Sequence, residues 1–239
     1  YLLWAGCAVK YEERAQKIGR AMVEILSKSG VSYGILEDSR CTGDPAKMMG
    51  NEFLFNEIAT QNVEEFNELG VKKIITLSPH GFNALKNDYQ TLGGSFEVFH
   101  YTQVLAKHTG SLSFGDNLPE VTVTYHDPCY LGRHNGAYGS ARKVLAALPG
   151  VKIREMDRSM QNALCCGGGG GNLFTDILGN GPESPAQNRV IEALGADAHI
   201  LAVSCPSCAV MLGDAVKSIN LDARIQVREI SEIINNRLE

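Results

Sequence analysis

The 239-residue chain contains no apolar run long enough to cross a bilayer, which excludes a membrane-spanning helix within it. It shows no signal-peptide pattern. It lacks a basic stripe, and its net charge is −5, which argues against nucleic acid as a partner. The Gly-rich run Gly167–Gly171 lacks the lysine and Ser/Thr that a phosphate-binding loop requires. No Ser/His/Asp set stands out, and the scattered His100, His108 and His199 read as ordinary surface or core residues. Disulfide staples are also unneeded: seven cysteines are an odd count in a chain well above the size that depends on them. With 44% hydrophobic and 21% charged residues, the chain suits one large globular unit or two smaller ones. It opens at Tyr1 rather than Met, so a further portion upstream is expected.

What the chain does have is five cysteines in the order C-x35-C-C-x38-C-x2-C: Cys129, Cys165, Cys166, Cys205 and Cys208. An adjacent pair, a C-x-x-C and one distant cysteine favour a reducing compartment and a metal. Four thiolates would satisfy a tetrahedral zinc and leave one spare. Five suit a larger iron–sulfur assembly, in which several irons each take thiolate. Gly167 and Gly168 follow the adjacent pair, so backbone can approach a bulky cofactor and turn amide N–H groups toward it.

The sequence reads as a duplication. YLLWAGC ending at Cys7 matches VTVTYHDPC ending at Cys129, and RCTG around Cys41 matches CCGG around Cys165. KKIITLSPHGFNAL after Gly70 matches DAHILAVSCPSCAVML after Gly195. Cys7 to Cys41 is 34 positions and Cys129 to Cys165 is 36. The polar stretch from Thr109 to Glu120 holds the join, giving expected halves of 1–116 and 117–239. Each half alternates strand and helix. The first has strands at 2–5, 31–36 and 73–77, with helices at 14–28 (stopped by Gly30) and 51–69 (stopped by Gly70). The second has strands at 121–125, 152–156 and 200–204, helices at 141–148 and 185–194 (stopped by Gly195), and another helix starting at Pro206. Such alternation predicts an α/β fold of two pseudo-symmetric Rossmann-like halves with mostly parallel sheets. Ligands of open α/β sheets lie beyond the carboxyl ends of the strands, which is where Cys129, Cys205 and Cys208 fall. A centre at the cleft between the halves is therefore expected.

These motifs carry a resemblance. HDPCYLGRHNG, LCCGGGGG and SCPSC make the chain similar to the CCG-domain family, cysteine-rich iron–sulfur proteins related to heterodisulfide reductase subunits B and D. EFLFNEIATQNVEEFNELG and CTGDPAKMMGNE resemble its membrane-associated iron–sulfur oxidoreductase branch. The resemblance implies one noncubane 4Fe-4S cluster ligated by Cys129, Cys165, Cys166, Cys205 and Cys208. It implies electron transfer that ends in reduction of a disulfide-type substrate or thiol carrier. The alternative is a conduit between an electron-transfer flavoprotein and a quinone-linked membrane partner, without catalysis. It also implies a ferredoxin-type Fe-S domain or subunit upstream, no nucleic-acid partner, and a cytoplasmic location or peripheral attachment to the cytoplasmic membrane within a larger complex. In the first copy, Thr42, Ser78 and Gly81 stand where three of the cysteines should be, so no such cluster is expected there.

Around these ligands, His126, His134 and His80 are candidate proton donors. Asp127 next to Cys129 either tunes the cluster through hydrogen bonds or shapes a turn with Pro128. Arg133 is a candidate positive charge near the cluster. Cys7 and Cys41 are either relics packed in the core or a substrate-side or secondary site, as thiols or with His80 on a metal.

Overall fold

A computed structural model describes residues 1–175, 177–179 and 181–239. In the first half the main elements are β1 (Leu2–Trp4), α1 (Cys7–Tyr11), α2 (Glu13–Lys28), α3 (Asp44–Met48), α4 (Glu52–Glu68), β2 (Lys73–Thr76), α5 (Pro79–Asn83), β3 (Glu97–His100) and α6 (Tyr101–His108). The second half continues with β4 (Val121–Tyr125), α7 (Gly139–Ala146), β5 (Val151–Ile153), α8 (Asn172–Thr175), α9 (Pro185–Gly195), β6 (Ile200–Val203), α10 (Pro206–Ser218), β7 (Gln226–Glu229) and α11 (Ile230–Asn235).

Every strand pairing is parallel, as strand–helix alternation demands. The first sheet runs β1-β2-β3 and the second β5-β4-β6-β7. The two orders match once a parallel bridge from Leu2 to Gly34 is counted, because Gly34 sits beside β1 as β5 sits beside β4. The expected strand over 31–36 is therefore only this one bridge. Leu3 N–H donates to Gly34 O at 2.8 Å and Gly34 N–H to Tyr1 O at 2.9 Å, and no longer ladder follows.

Local sequence explains most element ends. In α2, Ala15, Ile18, Met22, Ile25 and Leu26 share one buried face, and Gly30 leaves the helix at φ +71°. Asn51 caps α4 by accepting Leu54 N–H at 3.0 Å. Ser184 caps α9, with Pro185 in its first turn. Gly195 does not stop α9 as expected. It is the last helical residue, and the left-handed turn falls on Asp197 at φ +51°.

The sequence reading missed β3 with α6 and β7 with α11. Each strand ends on a residue that caps the next helix in a reciprocal box, His100 with Gln103 and Glu229 with Glu232. These two corners are equivalent in the two halves, and both cross between them. His100 Nε2 donates to Ser204 O at 3.1 Å, and the Tyr101 hydroxyl donates to Glu229 Oε1. The largest apolar core is also common to both halves. It joins Met22, Ile25, Tyr101 and Leu105 to Val144, Leu145, Ile230 and Ile233. The carboxyl ends of both sheets are thereby fixed against one cleft.

Candidate metal centre and adjoining cavity

Cys129 follows the carboxyl end of β4. His126 N–H extends the pairing by donating to Ala202 O at 2.9 Å, and the chain then turns through Asp127 and Pro128. Asp127 is buried and takes a bidentate pair of hydrogen bonds from Arg142, at 2.7 and 2.9 Å. Its second oxygen also accepts Met160 N–H at 2.8 Å. Arg133 Nε donates to Gln161 O at 3.1 Å and its terminal nitrogen to Ala163 O. Asp127 and Arg133 therefore tie the Cys129 turn to the segment leading into Cys165. The charge of Arg142 is matched by Asp127 and Glu155, at 2.6 Å or more from each, and Arg133 is engaged by carbonyls.

After Cys165 and Cys166, Gly167 turns at φ +81° and sends its N–H to Cys165 Sγ at 3.3 Å. A side chain at Gly168 would lie 3.0 Å from Met211 Cγ and 3.7 Å from Cys166 Sγ, so glycine keeps this face of the thiols clear. Cys205 caps α10 from the end of β6, and Cys208 lies in the first turn of that helix. Cys208 Sγ and Cys166 Sγ are 3.4 Å apart. The thiols of Cys129 and Cys165, and of Cys205 and Cys208, also lie near enough to perturb one another's ionisation. Three distant segments thus meet. Cys166, Cys205 and Cys208 are 5%, 0% and 3% exposed, whereas Cys129 and Cys165 are half-buried.

Charge is organised around this set. Thiol donors from Cys129 and Cys166, with the Gly167 amide, pull the Cys165 thiol well down, so it holds the negative charge. Cys205 is lowered to about 6, chiefly by the Cys208 thiol. His126 is fully buried and lowered to about 3, first by desolvation and then by Arg189. Arg189 Nε donates to His126 Nδ1 at 3.2 Å, so the imidazole N–H sits on Nε2. That atom has no protein partner, and the His126 ring has a nitrogen within 4.8 Å of the sulfurs of both Cys166 and Cys208. A buried, unpartnered N–H on a ring beside two thiols suits an anionic sulfur centre.

Four thiolates on one zinc would all lie within about 4 Å of one another. Among the described residues the one compact ligand group is His126, Cys166 and Cys208, so the five thiols do not close together on a single ion. Five soft ligands that do not close on one ion, a glycine-cleared face, an orphan N–H and the buried Arg189 together fit an iron–sulfur cluster.

The first half is different. Cys7 Sγ and Cys41 Sγ are 3.7 Å apart, and Thr42, Ser78 and Gly81 occupy the places of Cys166, Cys205 and Cys208. These residues line a cavity of about 360 Å³ closed by Gly168, Leu173, Phe174, Pro206 and Ser207 of the second half. His80 lines it too, with Nδ1 3.1 Å from Asp44 Oδ2. Its ring packs on Tyr130 at 4.3 Å, and Tyr130 stacks on exposed His134 at 4.4 Å. Among the described residues Cys7, Cys41 and His80 do not form a compact ligand group.

Of the three candidate proton donors, His80 and His134 stand at the ends of this stack, from cavity to surface. His126 stands apart, neutral and enclosed. Sequence reasoning missed Arg189, which is 0% exposed. Its signal was present: Ala186, Arg189, Val190 and Ala193 share one helical stripe, so a charge lies on the buried face of α9.

Fold and site together define a parallel α/β protein that gathers cysteine thiolates at the carboxyl rim of its second sheet. The chain belongs to the cysteine-rich domain family called CCG, whose model matches residues 1–86 and 123–213. It is 40% identical to the EtfAB:quinone oxidoreductase of Syntrophomonas wolfei, over 100% of this chain and 34% of that protein. It is 38% identical to the probable iron-sulfur-binding oxidoreductase FadF of Bacillus subtilis, over 98% of this chain and 33% of that protein. A third relative is the D component of the dihydromethanophenazine:CoB–CoM heterodisulfide reductase of Methanosarcina barkeri, 35% identical over 98% of this chain and 58% of that protein. The chain thus spans about a third of the first two relatives and rather more than half of the third. Among solved structures, an aspartate racemase from Picrophilus torridus superposes with a TM-score of 0.41 at 10% identity, covering 100% of this chain and 94% of that one, too loose a likeness to carry any conclusion. Among the described residues, no helix is long and apolar enough to cross a membrane.

Proposed function

We propose that this chain is the cluster-bearing part of an iron–sulfur oxidoreductase. Cys129, Cys165, Cys166, Cys205 and Cys208 hold one noncubane 4Fe-4S cluster, and the electrons go to a disulfide-type substrate or thiol carrier. The observation that carries this reading is that five free thiols come from three segments at one sheet end and do not close on a single ion. The bound cluster supplies one-electron chemistry and an iron that a substrate sulfur can reach.

The chain's own residues do the rest. Cys166, Cys205 and Cys208 anchor the buried side, while Cys129 and Cys165 are the less buried ligands. Arg189, acting through His126, places positive charge and an N–H donor beside the thiolates. His80, Tyr130 and His134 offer a proton route from solvent to the cavity. The relatives' names support partners of two kinds, an electron-transfer flavoprotein with a quinone-linked complex, or a heterodisulfide system. A ferredoxin-type centre elsewhere in the parent protein would feed the cluster.

Anaerobic iron and sulfide analysis with electron paramagnetic resonance tests the reading. A cluster signal is expected after partial oxidation in the presence of thiol, and each of the five Cys→Ser variants should lose most of its iron. Zinc alone, or no metal on the five cysteines, would end the account. The burial of three ligands favours a second reading, a pure electron conduit. In that case added thiols would leave the cluster's spectrum unchanged.

A further inference from the structure

The cavity beside Cys7 and Cys41 has no role in holding the cluster. All five first-half counterparts of the cluster cysteines line it: Cys7, Cys41, Thr42, Ser78 and Gly81. Its lining in the first half therefore corresponds, residue for residue, to the five thiols of the second. Two thiols remain there, half-buried and 3.7 Å apart. A disulfide is about 2.05 Å long, so a small side-chain rotation would join them. Neither is paired with any of the other five cysteines. Gly43 N–H lies 3.4 Å from Cys41 Sγ, which marks Cys41 as the anionic member and Cys7 as its donor. The walls are mostly apolar, with Trp4, Tyr11, Met48, Leu173 and Val210 among them, and the volume suits a small organic molecule. The far wall includes Gly168, Pro206 and Ser207, close in sequence to Cys166, Cys205 and Cys208.

We propose that Cys7 and Cys41 are a reversible dithiol/disulfide pair that exchanges with an apolar organic disulfide bound in this cavity. The Cys41 thiolate attacks one sulfur of the ligand, a Cys41–ligand bond forms, the ligand S–S bond breaks, and one ligand thiolate leaves. Cys7, giving up its proton, then attacks the Cys41 sulfur. The Cys7–Cys41 bond forms and the second ligand thiolate leaves. The ligand has gained two electrons and, from solvent and the pair, two protons. The pair has lost the two electrons and the Cys7 proton. Two electrons from the chain's iron–sulfur centre and two protons restore both thiols. This last step alone rests on the function proposed above. The lowering of Cys41 to about 6, owed first to the Cys7 thiol, agrees with its role as attacker.

The test uses the intact, anaerobically prepared chain and dipyridyl disulfide as the probe, followed by acid quenching, alkylation and peptide mapping. Wild type is expected to release two pyridinethiones per Cys7–Cys41 bridge formed, with a two-electron dependence on the ratio of oxidised to reduced dithiothreitol. Cys7→Ala should stop at a stable Cys41 mixed disulfide. In Cys41→Ala, Cys7 should react about tenfold more slowly or worse. Iron content should be unchanged in both variants. Cys7 and Cys41 that stay separately alkylatable in the most oxidising buffer, or that bridge to one of the other five, would overturn the pair. Reduced viologen should restore both thiols in cluster-loaded protein and fail in metal-free protein, and equal rates in the two would overturn the electron path. Because bridging is read by mapping, it is scored even if the metal analysis fails, so the two proposals can fall separately.

Discussion

Asp127 shows how one side chain holds a site together without touching the reacting atoms. Its two oxygens take three hydrogen bonds, two from Arg142 and one from Met160 N–H, and it is 4% exposed. Removing one partner of such a buried pair strands the other charge and costs about 3 to 5 kcal/mol. Glu155 still pairs with Arg142, so Asp127→Ala belongs at the low end of that range. It should lower stability by about 3 kcal/mol in urea titrations and loosen iron at the Cys129 turn. His126 gives a second residue-scale expectation. His126→Phe keeps a buried ring but deletes the unpartnered Nε2 proton of a ring grouped with the Cys166 and Cys208 sulfurs. Fewer hydrogen bonds to sulfur make a cluster harder to reduce. The midpoint potential should therefore fall when followed by redox-poised paramagnetic resonance, and an unchanged potential would show that the N–H points elsewhere.

At the scale of elements, the strand–helix corners set a pH dependence. Glu229 ends β7 and caps α11, and burial raises its carboxyl to about 7 despite donors from Ser231 and Tyr101. The folded state therefore prefers the protonated form. The stability this contributes is complete below the ordinary carboxylate pKa and is lost as pH rises through about 7, with a slope between those limits of about 1.4 kcal/mol per pH unit. His100, at the equivalent corner, is lowered to about 3 by burial, so its contribution is present above about 6.5 and lost as pH falls. Glu229→Gln should flatten the alkaline side of the stability profile in denaturant titrations and leave the acid side alone.

These same corners mark the limit of what the sequence disclosed. The strands at 2–5, 73–77, 121–125 and 200–204 were legible because they are short apolar runs bounded by turn residues. The corners at 97–108 and 226–235 were not. EVFHYTQV and QVREISEI mix polar and apolar residues, and their boxes use His and Glu instead of the usual Ser or Thr. The five candidate cysteines were visible as a spacing pattern. Arg189 needed a helical stripe to be traced with a charge inside it, and the cavity needed the two halves to be set face to face.

For the whole molecule, the duplication produces two sheets but one principal core. Tyr101 and Leu105 of the first half pack with Val144, Leu145 and Ile230 of the second. His100 and Tyr101 add hydrogen bonds across the same seam. Residues 117–239 expressed alone would expose that apolar face to water. They are expected to lack a dispersed amide spectrum and a cooperative unfolding transition, although they carry all five ligands. A well-folded, iron-loaded fragment would show that the seam is dispensable.

The 3.4 Å gap between the Cys166 and Cys208 sulfurs also governs how the protein must be made. These two atoms are near enough for air to weld them before iron arrives, and their burial would then hide the weld from ordinary reductants. On the cluster assignment proposed above, inorganic sulfur and iron must therefore arrive ahead of oxygen. A pale batch left on the bench would stay colourless after reconstitution, while a freshly broken anaerobic culture would turn brown.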